Sequence, residues 1–178
     1  MVSKNRKTAF CSMMAALSVV LLLLGSLIPG ATYSAPILGM LPLIPTLSEF
    51  GSKPALRVYA TAAVLAVLLV PDKEAAGIYL VLGYYPVLRP VLGRIPSGIL
   101  RLLSKAAVCT LAVTLLYTAL LFLFRLDVLR AEFAGYSNVA LATLLIGGNV
   151  VFLLLDQALA RLTLLWCRRL RRLFFPFR

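Results

Sequence analysis

From Thr8 to Pro29 the chain reads TAFCSMMAALSVVLLLLGSLIP, without one charged side chain. Stretches of similar length with few or no charges recur towards the C-terminus. A helix of about 20 such residues crosses a hydrocarbon core of roughly 30 Å. Composition agrees, since 62% of the 178 residues are hydrophobic and 13% charged. Mean hydropathy is +0.99, whereas an ordinary soluble domain carries about 25% charged residues. The expected fold class is therefore all-α, as a polytopic membrane protein in a single domain.

The apolar runs predict six spans at about 8–29, 36–50, 54–70, 75–92, 103–124 and 139–166, followed by a basic tail at 167–178. The second is short and holds Pro42 and Pro45, so a broken or re-entrant segment is expected there. Lys4, Arg6 and Lys7 resemble the basic start of a signal peptide, but the apolar run after them is too long for one. A cut after Ala35 would place Tyr33 at −3 and Pro36 just past the cut. The first span is thus expected to stay uncleaved.

Net charge is +12. In a soluble chain that balance points to nucleic acid, but here the basic residues sit between apolar spans. Six spans place 15 of the 18 basic residues on the side of the N-terminus and leave Lys73, Arg125 and Arg130 on the other. The positive-inside rule makes the basic side cytoplasmic, with both termini there. The tail CRRLRRLFFPFR alternates arginines with Leu and Phe, as expected of a segment lying on an anionic inner leaflet. Nucleic acid is not an expected partner.

That topology gives a reading of PDKEAAGIYLVLGYYPVLRP (71–90). Asp72, Lys73 and Glu74 form an outer loop, and the fourth span runs inward to Tyr84 and Tyr85 near the inner leaflet. Pro86 is expected to kink that helix. Arg89 lies four residues after Tyr85 on the same face. From there it either snorkels to the interface or meets an acid. Glu49, at the inner end of the second span, is one such acid. Its candidate partners are Lys53 one turn on, or Arg57 and Arg89 across helices, with an Arg89–Glu49 pair as the sharper expectation. On the sixth span Asn149 and Asp156 are two turns apart on one face. An acid this far inside a span usually faces the bundle. It serves there either in an interhelical hydrogen bond or in a coupling role.

On the first span Ala9, Ser12 and Ala16 share a face, with Cys11 and Ala15 beside it. Small residues at such spacing let another helix approach closely, within the bundle or on a partner. There is no histidine among the residues, and the three cysteines, Cys11, Cys109 and Cys167, form no CxxC pair. No metal site, cofactor or disulfide framework is expected. No phosphate-cradling loop and no nucleophile–base pair is legible, so an enzyme is not expected.

The basic N-terminus running into KTAFCSMMAALSVVLLLLG, the short proline-bearing second span, six spans in about 180 residues and the basic C-terminus resemble a known family. It is the substrate-binding subunits, or S components, of bacterial energy-coupling factor vitamin transporters. PDKEAA, LGYYPVL and NVVFLLLDQALARL are similar to segments of uncharacterised membrane proteins of Gram-positive bacteria. The resemblance implies uptake of a vitamin or other small molecule at the bacterial cytoplasmic membrane, with ATP hydrolysis left to partner ATPase subunits. It implies docking of Ser12 and Ala16, with Ala9, Cys11 or Ala15 as neighbours, on a transmembrane coupling protein. Tyr33, Asp127, Glu132, Tyr136 and Asn138, on the outer loops, would face substrate. A non-transporting membrane scaffold or assembly factor is the alternative.

Overall fold

A computed structural model describes residues 4–28, 30–93, 96–123 and 138–167. Among them lie eight helices and no strand. These are α1 (Lys4–Ser26), α2 (Ser34–Met40), α3 (Leu43–Phe50), α4 (Ser52–Leu69), α5 (Lys73–Leu82), α6 (Tyr85–Leu92), α7 (Gly98–Leu123) and α8 (Asn138–Leu165). Four helical stretches among the described residues are long and apolar enough to cross a membrane: Asn5–Ser26, Ser52–Leu69, Lys73–Leu92 and Gly147–Leu165. The basic tail lies outside the described residues beyond Cys167.

Two of the expected spans are divided. The second breaks between Met40 and Leu43, so that Pro42 stands just before α3 and Pro45 falls within its first turn. A proline there forfeits no helical hydrogen bond, because the first turn's N–H groups have no partner in any case. The fourth is interrupted at Gly83–Tyr84, in the turn before Pro86, where the proline leaves the Leu82 carbonyl without its helical donor. Pro86 also occupies the first turn of α6, where its fixed φ is already helical.

The two divisions let the chain build three apolar clusters among the described residues, two of them large. Val19 and Leu22 of α1, Met40 of α2, Ala62 and Ala66 of α4, and Tyr79 of α5 make the first. Ile44 of α3, Tyr85 of α6, Cys109 of α7 and Phe152, Leu159 and Trp166 at or beyond α8 make the second. A single straight helix over 36–50 would point its residues at one neighbourhood; broken, it gives α2 to the first core, while α3 sends Ile44 to the second and Leu43 to a third cluster with Met14, Ala15 and Val58. Small residues bring the backbones close. An ideal Cβ on Gly25 would sit 2.2 Å from the Cβ of Ala35, so α1 and α2 meet there with room for hydrogen only.

The chain also reverses sharply between α3 and α4. Gly51 takes φ +82° there, a left-handed conformation that any other side chain adopts at a cost. At the opposite end, Asp72 caps α5. Its Oδ1 accepts from the backbone N–H of Glu74 and Ala75, both at 3.1 Å. Its Oδ2 accepts the Thr32 hydroxyl at 2.8 Å, and the Tyr33 hydroxyl donates to Glu74 at 3.1 Å. Lys73 donates to the carbonyls of Val67 and Val70, acceptors at the C-terminal end of α4. The 30–34 and 72–74 loops, widely separated in sequence, thus form one polar end. Phe10 of α1 packs edge-on to Phe50 of α3, ring centroids 5.5 Å apart, at the other end.

Candidate functional site

Three helices converge on one acid. Asp156 of α8 is buried, its side chain 9% exposed. Tyr85 and Arg89, one turn apart on α6, both reach its Oδ1: the Tyr85 hydroxyl donates at 2.8 Å and Arg89 Nε at 2.9 Å. Lys105 of α7 donates its Nζ to Oδ2. The lysine side chain is 13% exposed and that of Arg89 27%. The Tyr85 ring packs edge-on to Phe152, four residues before Asp156, at 4.5 Å between centroids. Apolar walls thus close one side of the cluster while Arg89 reaches the surface on the other.

The cluster follows from local spacing. Asn149, Phe152 and Asp156 fall on one stripe of α8, and that stripe meets α6 and α7. Asn149 Nδ2 donates to the Thr110 hydroxyl of α7 at 3.2 Å, about two turns along α8 from Asp156. Arg89 follows Tyr85 by four residues, so a single α6 face presents a phenol and a guanidinium together.

The Arg89–Glu49 pair does not form. Arg89 is turned to α8, where Asp156 Oδ1 accepts both its Nε and the Tyr85 hydroxyl. Lys53 is exposed on α4, and neither it nor Arg57 forms an ion pair with Glu49, which is half-buried on α3. Lys105 belongs to the site although the sequence offered it only as a topological charge. The available signal was its position, seven residues inside α7 and at a depth from the helix end similar to that of Asp156.

Chemically the cluster is a closed electrostatic joint. One carboxylate accepts three donors, two of them cationic, which is how a buried charge is made tolerable. A carboxylate so engaged has little capacity left to take a proton from a substrate. Among the described residues no group of three or more His, Cys, Asp or Glu is placed to hold a metal ion.

The other predicted residues lie elsewhere. On α1 the buried face is Met14, Ala15, Ser18, Val19 and Leu22, and Ala9, Ser12 and Ala16 are all exposed on another side. Beside them a groove of about 370 Å³ runs between the first halves of α1 and α4, with Lys7, Cys11, Ser12 and Ala15 on one wall and Pro54, Arg57, Val58 and Thr61 on the other. Tyr33 is exposed at the end where it meets Glu74. Asn138 opens α8, while Asp127, Glu132 and Tyr136 lie outside the described residues. No family model matches the sequence, and no curated protein or solved structure matches it.

Proposed function

We propose that this chain is the substrate-binding membrane subunit of an importer, similar in role to the S components, with no hydrolytic activity of its own. In this reading it lies in the bacterial cytoplasmic membrane as a multi-pass protein with both termini inside. The α2–α3 and α5–α6 pairs count as one crossing each among six. The basic residues clustered on one side support that orientation.

The supporting observation is the exposure of Ala9, Ser12 and Ala16 on α1. The bundle buries a different face of that helix, so its own packing leaves this small-residue stripe for an incoming helix. A transmembrane coupling protein is the partner proposed for it, with ATPase subunits attached beyond. Substrate is a small molecule taken at the opposite end, near Tyr33. The test is co-purification of the native complex from membranes. Ser12→Leu with Ala16→Leu should release the partners and leave the bundle folded; an unchanged set of partners would reject docking through α1.

A scaffold is the second reading, and the Asp156 cluster favours it. Its carboxylate accepts three donors from the same chain, which suits a rigid joint better than a binding pocket. Native mass spectrometry separates the two: an importer subunit carries a bound small molecule, a scaffold only polypeptides.

A further inference from the structure

The groove between α1 and α4 carries two cations that no acid among the described residues pairs. Lys7 and Arg57 stand on its two walls, no acid lines it, and neither cation has an ion-pair partner among the described residues. Lys7 instead lies 5.5 Å from the centre of the Phe50 ring. Lys7 is three residues into α1 and Arg57 five into α4, which sets both within about 8 Å of the helix starts. Deeper along the groove the lining turns to Ala15, Val58 and Thr61, and the exposed Val64 lies one turn beyond Thr61. Charge at the mouth and apolar surface within is the profile of an anionic amphiphile. The volume of about 370 Å³ falls in the range of small-molecule sites, roughly 300–1,000 Å³.

The geometry points to a binding site for one anionic phospholipid, its phosphate between Lys7 and Arg57 and the start of an acyl chain along Ala15, Val58 and Thr61. Basic pockets between spans at the cytoplasmic side favour such headgroups for the same electrostatic reason. A soluble phosphate would use only the mouth of the groove. The lipid uses its whole length, and both walls belong to helices that can cross a membrane. This site goes beyond the importer reading and does not rest on it.

The test is native mass spectrometry of the full chain in mild detergent, titrated with phosphatidylglycerol and phosphatidylcholine. One phosphatidylglycerol should be retained in preference to phosphatidylcholine. Lys7→Gln with Arg57→Gln should lower that preference roughly 30-fold, from two interfacial charges lost. Thr61→Phe keeps both cations and fills the inner groove, so it should weaken retention even if the double variant fails to fold. Arg101→Gln, an exposed cation on α7 away from the groove, should change nothing. Four results would overturn the site: equal retention of the two lipids, an equal loss in Arg101→Gln, displacement of the lipid by millimolar inorganic phosphate, or a polypeptide rather than a lipid released by the double variant. None of these variants alters Ala9, Ser12 or Ala16; Ser12 borders both the groove and the docking stripe, so Ala16→Leu alone separates docking from lipid retention.

Discussion

Replacing Asp156 with Ala removes the shared acceptor of three donors. Lys105, whose side chain is 13% exposed, is left with its charge and no counter-ion. Breaking a buried pair from one side costs about 3–5 kcal/mol. Arg89, 27% exposed, can turn outward and adds less, in the range of about 0–1 kcal/mol for a solvated pair. The expected loss for Asp156→Ala is therefore about 3–5 kcal/mol. Adding Lys105→Met removes the stranded ammonium while keeping an unbranched apolar stem. The double variant should regain at least about 2 kcal/mol over Asp156→Ala, a coupling typical of residues in direct contact. Arg89→Ala alone should be milder than Asp156→Ala, because Lys105 still neutralises the acid. The assay is unfolding of detergent-purified protein by sodium dodecyl sulfate titration, followed through Trp166. That residue is the chain's one tryptophan, and it is buried in the same core as Tyr85. A loss below about 1 kcal/mol for Asp156→Ala, or strict additivity with Lys105→Met, would refute the cluster as a stabilising joint.

Gly25→Ala should cost about 1–3 kcal/mol in the same assay, since its new methyl would overlap Ala35 at 2.2 Å. Asp72→Ala loses the cap of α5 and the Thr32 bond, and should lower stability by about 1–2 kcal/mol. In a cysteine-free background, an impermeant thiol reagent on intact cells should label Ser34→Cys but not Lys53→Cys; the reverse pattern would invert the proposed topology.

The helical segments were legible because burial and lipid both demand long apolar runs, and the second segment's prolines marked its break. Asp156 was legible as an acid that had to find company inside a bundle. Its partners were harder to read. Depth made Glu49 a plausible match for Arg89, but depth is only one coordinate, and rotation of α6 about its axis decides which neighbour the guanidinium meets. That rotation comes from the packing of Tyr85 on Phe152, a long-range contact with no local sequence signal. Lys105 was hidden for a related reason: a charge near a span's end serves as a topological marker whether or not it also turns inward. Pro86 was legible as an interruption, and the break falls in the turn before it, so that the proline also stands in the first turn of α6.

The joint at Asp156 also bears on the order in which the chain is made. Arg89 and Lys105 are synthesised first, and their acid follows the second of them by 51 residues. At about 5–20 residues per second, translation leaves a gap of several seconds. During that interval a nascent protein holds two cations with their shared counter-ion still unmade. Only the last helix closes the account between them. A chain truncated before Asp156 would keep that unmatched charge permanently, and so would carry a chemical mark of its own incompleteness that the finished protein lacks.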